Sequence, residues 1–131
     1  MRYLLDTNIC IYFLKGKFNL IEKFEQVGFG NLFISEITVA ELKYGAAKSE
    51  YPEKNKLVVE TLISKFKQIP IYKSLDLYAE EKARLRKKGE IVDDFDLLIG
   101  ATAIVNDMIV VTNNAKHLGR LNEVQLENWT Q

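Results

Sequence analysis

The sequence lacks most of the features on which common enzyme classes depend. It has one cysteine, Cys10, and one histidine, His117. A single thiol excludes an internal disulfide and a zinc site built from cysteines, and it fits a protein of the reducing cytosol. A single histidine excludes RNA cleavage by a pair of histidines acting as acid and base. The sequence also has no Walker A loop, no dinucleotide-binding glycine fingerprint and no G-x-S-x-G nucleophile elbow.

An excess of charge of one sign and long apolar runs are missing as well. The 18 basic and 18 acidic side chains give a net charge of zero, so any contact with nucleic acid must come from a local patch. Asp6, Thr7 and Asn8 interrupt the first apolar run too early for a signal peptide, and no run reaches the roughly eighteen residues of a membrane span. The composition, 47% hydrophobic, predicts one globular domain over residues 1–131, soluble and cytoplasmic, with no membrane contact.

Short apolar runs alternate with amphipathic ones along the chain. Strand-like runs are found at residues 2–5, 32–34, 69–72, 108–111 and 124–127. Helix-like spacing begins near Ile9, Leu20, Val39, Asn55, Ser74 and Asp96, and Ser35 to Thr38 lead into the third of these helices. Pro70 places the third strand at a sheet margin or a strand end. The alternation predicts a three-layer α/β/α fold with a central, mainly parallel sheet of four to five strands.

Three acidic residues stand where a strand-like run gives way to a helix-like one: Asp6, Glu41 and Asp96. Asn113 and Asn114 occupy a fourth junction of this kind. In an open α/β sheet the carboxyl ends of the strands share one edge, so we expect these residues to converge there. Clustered carboxylates repel one another unless a cation neutralises them, and oxygen ligands select Mg²⁺ or Mn²⁺ over zinc. The pattern therefore predicts a divalent-cation site.

Each acid also has an ordinary structural explanation. Asp6 is a typical helix N-cap residue. The string from Thr38 to Glu41 matches the capping box, and that motif taken alone favours a structural role for the glutamate. Asp96 is either a first-turn charge favoured by the helix dipole or a site residue held above the core. Only their joint placement at three such junctions indicates a site.

Four short motifs, in order along essentially the whole chain, are similar to those of a known protein family. They are Leu5-Asp6-Thr7-Asn8, Thr38-Val39-Ala40-Glu41-Leu42 with Tyr44-Gly45, Asp96-Leu97-Leu98-Ile99-Gly100-Ala101-Thr102-Ala103, and Val111-Thr112-Asn113-Asn114. The sequence resembles a PIN domain and, more narrowly, the VapC toxins of prokaryotic type II toxin–antitoxin pairs.

The resemblance implies an endoribonuclease that depends on Mg²⁺, with Mn²⁺ as a substitute. It implies hydrolysis of structured RNA, tRNA among the substrates, to a 5′-phosphate and a 3′-hydroxyl. It also implies inhibition by a cognate VapB-like antitoxin, binding of operator DNA by the complex, and a homodimer.

The same resemblance assigns roles to individual residues. Asp6 and Asp96 match the principal Mg²⁺ ligands, and Glu41 matches the second acid, which contacts the metal directly or through water. Thr7 and Thr112 match hydroxyl residues that orient this cluster. The fourth acid is where the chain departs, because some relatives carry Asp at the place of Asn114 and others carry Asp or Glu at the place of His117. An amide at position 114 still offers a hydrogen bond or a neutral oxygen.

Two other classes of protein compete with this interpretation. A receiver-type signalling domain is also a small α/β sandwich, but Ser35 or Glu36 stands where it needs an aspartate, and Thr112-Asn113 where it needs a lysine. A catalytically weak PIN-like module that only binds operator DNA with a partner is still possible, because the fourth acid is missing.

Several aromatic residues have two possible roles. They either stack on unpaired bases or fill the core or an oligomer interface: Tyr12, Phe13, Tyr44, Tyr51 and Tyr72.

Overall fold

Five short strands, all parallel, form the centre of the computed structural model, which describes residues 1–131. The strands are β1 (Tyr3–Leu5), β2 (Leu32–Ser35), β3 (Lys67–Ile69), β4 (Ile109–Val111) and β5 (Leu126–Glu127). The helices are α1 (Thr7–Leu14), α2 (Leu20–Val27), α3 (Glu36–Ala47), α4 (Pro52–Ser64), α5 (Leu75–Lys87), α6 (Asp94–Val105) and α7 (Ala115–Leu118). Short 3-10 helices cover Phe29–Asn31 and Tyr72–Ser74.

The strand order places β1 at the middle of the sheet. The order is β3-β2-β1-β4-β5, and every neighbouring pair is parallel. The chain therefore moves outward from β1 to β3, returns to the other side of β1 as β4, and ends at β5. The helices that follow β1 and β4 diverge at this reversal, which leaves a crevice at the carboxyl ends of the two strands.

Alternate residues of the strands face two separate cores, so the sheet is covered on both sides. One core contains Leu5, Leu32, Ile34 and Val111 together with apolar side chains of α1, α2, α3 and α4. The other contains Leu4, Phe33 and Val110 together with side chains of α6 and α7. The predicted three-layer α/β/α architecture is confirmed, and the sheet is entirely parallel.

Several element boundaries differ from the sequence-based ones. Helix α1 begins at Thr7 rather than near Ile9, because Asp6 caps it. Strand β3 is Lys67–Ile69 rather than residues 69–72. It pairs only with β2 and is therefore an edge strand. Two of its three residues are polar and exposed, so no apolar run marks this strand in the sequence. Pro70 follows directly, as expected of a residue without a backbone N–H to donate.

Helix α6 is the most deeply buried of the helices that cover the second face of the sheet. Six of its residues are buried, among them Ile99 and Ala103 in the core beneath β4. A Cβ on Gly100 would lie 2.8 Å from a methyl carbon of Leu121, so a larger residue there would displace the Leu121 side chain. None of the helices is long and apolar enough to cross a membrane. Cys10 is fully buried.

Candidate functional site

Asp6 leaves the carboxyl end of the central strand β1 and lies beside the end of β4. Its backbone N–H donates to the carbonyl of Val111 over 2.9 Å, which continues the parallel ladder by one residue. The side chain is 4% exposed and accepts two hydrogen bonds, from the backbone N–H of Thr7 and from the hydroxyl of Thr112, each over 2.8 Å. Burial raises the pKa of this carboxyl, and the two hydrogen bonds oppose that rise.

Glu41 lies in the second turn of α3, the helix that follows β2. Its Oε1 accepts a hydrogen bond from the Thr7 hydroxyl over 2.6 Å, and that hydroxyl lies 3.1 Å from the hydroxyl of Thr38. Partial burial raises the pKa of the Glu41 carboxyl, the Thr7 bond lowers it, and the charges of Asp6 and Asp93 raise it further. Glu41 is therefore held toward β1 rather than toward its own helix terminus.

The capping-box interpretation of Thr38 to Glu41 is wrong. Helix α3 begins at Glu36, and its N-cap is Ser35, whose hydroxyl accepts from the backbone N–H of Thr38 over 3.3 Å. Thr38 is thus a helical residue, and Glu41 lies one turn further in, too far to fold back on the cap. The structural alternative for Glu41 disappears, whereas for Asp6 both interpretations hold because its carboxylate caps α1 and also faces Thr112.

Asp96 lies in the first turn of α6, which packs in the second core, and its side chain reaches Asn114, two residues after Thr112. Its Oδ2 accepts a long hydrogen bond, 3.4 Å, from the side-chain amide of Asn114. The backbone N–H of Asn114 in turn donates to the hydroxyl of Thr112 over 2.8 Å. Burial, followed by the charges of Asp6, Asp93 and Glu41, raises the pKa of Asp96 to about 6.

These contacts join into one continuous chain of hydrogen bonds, which we call the carboxylate network. It runs from Asp96 through Asn114 and Thr112 to Asp6, and on through Thr7 to Glu41. All six residues singled out in the sequence are members, although they come from four separate stretches of the chain. His117 lies nearby on α7, but its ring makes no hydrogen bond to the network.

The network has the donor set of a hard-cation site. Its three carboxyl groups all have raised pKa values, and mutual repulsion contributes to that of Asp96 and Glu41. No lysine or arginine neutralises them, because the two salt bridges of the chain are Lys82–Asp94 and Arg84–Glu81. No three acidic, histidine or cysteine side chains converge as a complete ligand set. Mg²⁺ does not need one, since it keeps several waters and binds through one or two carboxylates.

Sequence reasoning missed one charged neighbour of the network, Asp93. It is the N-cap residue of α6, its side chain makes no capping hydrogen bond, and it is exposed. Its charge raises the pKa of both Glu41 and Asp96. The available signal was spacing, because residues three apart at a helix start lie on the same face, and Asp93 precedes Asp96 by three.

Comparison with known proteins gives four findings. Residues 3–123 match the family described as PIN domain. The chain is 38% identical over 131 residues to "Ribonuclease VapC2" of Haemophilus influenzae, with 98% of each chain covered. It is 32% identical to "tRNA(fMet)-specific endonuclease VapC" of Shigella flexneri, with 99% of each covered. Among solved structures, a DNA-bound VapBC complex of Salmonella typhimurium superposes with a TM-score of 0.92, at 34% identity and 98% coverage of each chain.

Proposed function

The chain belongs to the PIN-domain family and, within it, to the VapC ribonucleases, and from that membership we propose that it is a Mg²⁺-dependent endoribonuclease acting as the toxin of a type II toxin–antitoxin pair. One structural observation carries the proposal. Three carboxyl groups with raised pKa values share one hydrogen-bond network at the point where the sheet order reverses, and no basic side chain neutralises them.

Asp6 and Asp96 are the residues that would hold the cation directly, and Glu41 would bind it directly or through water. Mn²⁺ would substitute, because it accepts the same oxygen ligands. A bound divalent cation supplies a water of lowered pKa and positive charge opposite the scissile phosphate. Attack by water in line with the 3′-oxygen would break the P–O3′ bond without using the RNA 2′-hydroxyl, so the products would carry a 5′-phosphate and a 3′-hydroxyl.

The remaining members of the network position these carboxylates. Thr112 fixes one oxygen of Asp6 and is itself fixed by the backbone of Asn114, so neither side chain is free to rotate. Thr7 does the same for Glu41. Asn114 presents a neutral amide to Asp96, which orients the carboxylate without adding a fourth negative charge. Ligands held in this way lose little side-chain entropy when a cation and an RNA phosphate arrive.

The relatives suggest the substrate class and the partners. The Shigella flexneri relative is named as specific for tRNA(fMet), and the Salmonella typhimurium structure is a toxin–antitoxin complex on DNA. By analogy this chain cleaves structured RNA in the cytoplasm, with tRNA a leading substrate. It forms a homodimer and is neutralised by a cognate VapB-like antitoxin, and the complex binds operator DNA.

The test uses the full chain, purified without its partner and incubated with total tRNA. We expect cuts with 5′-phosphate ends in Mg²⁺, none in excess chelator, and recovery when Mg²⁺ is restored. Asp6→Asn and Asp96→Asn should each abolish the cuts. Asp107→Asn is the matched control, because Asp107 is exposed and precedes β4 at the opposite edge of the sheet. Its left-handed backbone also tolerates asparagine.

Three outcomes contradict the proposal in different ways. Cleavage that persists in chelator removes the metal dependence. Cyclic 2′,3′-phosphate ends mean that the RNA hydroxyl is the nucleophile. Absence of any cleavage, together with intact operator binding by the complex, favours the binding-module alternative that the missing fourth acid left open.

A further inference from the structure

An aromatic pair lies beside the carboxylate network, on α1 and on the turn that follows it. The side-chain amide of Asn113 donates to the hydroxyl of Tyr12 over 2.9 Å. Asn113 is exposed and stands between Thr112 and Asn114, both members of the network. Tyr12 is therefore tied to the loop that carries the network, about 7.5 Å along the helix axis from Thr7.

Phe18 completes the pair from the turn between α1 and α2. Its ring meets that of Tyr12 edge to face, with the centroids 5.1 Å apart and the planes at 79°. Phe18 is 46% exposed, so nearly half of a large apolar side chain remains in water. Phe13, by contrast, stacks on Phe24 with centroids 4.7 Å apart and packs against the core. Phe18 is thus not a core residue that happens to lie near the surface.

The backbone at Phe18 is strained. Its φ is +61°, in the left-handed region that costs free energy for an L-residue with a bulky side chain. Glycine would adopt this conformation freely, as Gly16 does in the same turn with φ +68°. The ring packs on Tyr12, but with nearly half of its surface in water its burial offsets only part of the cost. Strained residues cluster at functional sites, and the exposed ring makes Phe18 a candidate for one.

The charges around the pair fit a polyanion. Lys17 lies with its Nζ 5.8 Å from the centroid of the Tyr12 ring, and Lys15 is in the same turn. No acidic residue occurs between Asp6 and Glu22. In a chain with zero net charge, this turn is a local basic patch directly beside a cluster of carboxylates. Aromatic rings with an adjacent cation are the combination that holds unpaired nucleotides without reading their sequence.

We propose that Tyr12, Lys17 and Phe18 form a base-stacking platform for the RNA substrate. An unpaired base next to the scissile nucleotide stacks on the exposed Phe18 ring, and Lys17 contacts a neighbouring phosphate. Tyr12 supports Phe18 from behind, and its bond to Asn113 fixes the distance between platform and network. This rests on the proposed function and names how that same site holds its substrate.

The test measures RNA affinity in the inactive Asp6→Asn background, by fluorescence anisotropy with a labelled single-stranded RNA oligonucleotide in Mg²⁺. Phe18→Ala should weaken binding by between about 5-fold and 150-fold, the range for loss of one stacked base. Phe18→Tyr should restore affinity, because it returns an aromatic face. Tyr51→Ala is the matched control, since Tyr51 is 62% exposed but precedes α4, away from the network.

A second arm separates stacking from a merely structural effect. A series of RNAs carries a single abasic nucleotide at successive positions. At one position the missing base should weaken binding to the Asp6→Asn protein. The same RNA should show no further loss of affinity when Phe18→Ala is also present. Additive losses at every position would overturn the proposal. Phe18→Gly removes the ring while relieving the left-handed strain, so it keeps the comparison valid if the alanine variant unfolds.

Failure of the platform and failure of the proposed function are distinguishable. If the parent protein cleaves RNA but Phe18→Ala and Phe18→Gly bind it unchanged, the platform is overturned and the nuclease stands. If those variants lose only their affinity for the antitoxin, the aromatic pair is a protein-docking surface and the platform is again overturned. If the parent protein neither binds nor cleaves RNA, both proposals fall.

Discussion

The Thr7 hydroxyl donates to Glu41 Oε1 over 2.6 Å and so connects the first turn of α1 to the second turn of α3. Thr7 is 8% exposed, and the two residues are 34 positions apart in the chain. This bond holds Glu41 toward Asp6 and Asp96 against the repulsion of their charges. The orientation of the second acid thus depends on a neutral residue that carries no catalytic charge of its own.

Replacing Thr7 should therefore damage activity more than stability. Thr7→Val keeps the shape of the side chain but removes the hydroxyl, and we expect RNA cleavage to fall by about 10-fold to 100-fold, as for other residues that orient metal ligands. Thr7→Ser keeps the hydroxyl and should retain most of the activity. The measurement is kcat/KM for RNA cleavage in Mg²⁺. Equal losses in both variants would mean that packing, not the hydrogen bond, matters at this position.

The metal-free protein should lose stability as the pH rises through about 6. The pKa of Asp96 is raised to about 6 in the folded protein, from an ordinary value of 3.8, so the folded state binds this proton more tightly than the unfolded state. Its contribution to stability is complete below the ordinary value and declines as the pH rises through the folded one. The measurement is urea unfolding of chelator-treated protein across this range.

Asp96→Asn isolates that contribution, because the amide does not titrate. The difference in free energy of unfolding between the variant and the parent protein should favour the variant more at about pH 7.5 than at about pH 4.5. Added Mg²⁺ should stabilise the parent protein at neutral pH and have much less effect on the variant. A constant difference between the two proteins across this range would show that burial and the neighbouring charges do not raise the pKa of Asp96.

A second buried carboxylate behaves in the opposite way. Glu81 is 5% exposed and accepts bonds from Arg84 Nε over 2.7 Å, from Arg84 Nη2 over 3.0 Å and from the backbone N–H of Asn122 over 2.7 Å. The Arg84 bond is the main reason why the pKa of Glu81 lies below its ordinary value of 4.5. Its stabilising contribution is therefore present at neutral pH and is lost as the pH falls below that value.

Glu81→Gln should lower the free energy of unfolding at neutral pH by about 1.5–3 kcal/mol, the usual range for hydrogen bonds to a charged group. The difference from the parent protein should narrow as the pH falls, because the parent carboxylate is then protonated. Chemical denaturation at several pH values measures both effects. Glu80→Gln, at the exposed neighbouring position, is the matched control and should change stability little.

Cys10 should be unreactive in the folded protein. The thiol is fully buried, and burial, with a smaller contribution from the charge of Asp6, raises its pKa far above the ordinary value of 9.0. We expect a thiol reagent to label it only after denaturation. A Ser64→Cys variant, with the new thiol on the exposed end of α4, should label at once in the native state. Rapid labelling of Cys10 in the parent protein would show that the core around α1 opens.

The fold was predictable because its signals are local. Apolar runs alternating with amphipathic ones indicate parallel strands joined by helices, and the sheet follows from that order. The errors have local causes too. Strand β3 was misplaced because an edge strand has polar residues on its exposed face, and α3 was started late because Thr38 and Glu41 imitate a capping box that Ser35 in fact provides.

The sequence by itself identified the residues of the carboxylate network, mainly through the four motifs that resemble a PIN domain. The expected placement at junctions between strand and helix holds for Asp6, which directly follows β1, but it is wrong for the other two acids. Glu41 lies in the second turn of α3, and Asp96 follows the loop after α5 rather than a strand. Only the tertiary structure decided how these residues contact one another. The bond from Thr7 to Glu41, the effect of the Asp93 charge on Glu41 and the bond from Asn113 to Tyr12 join residues far apart in the chain. Such contacts depend on strand order and helix packing, which the spacing of residues along the chain does not encode.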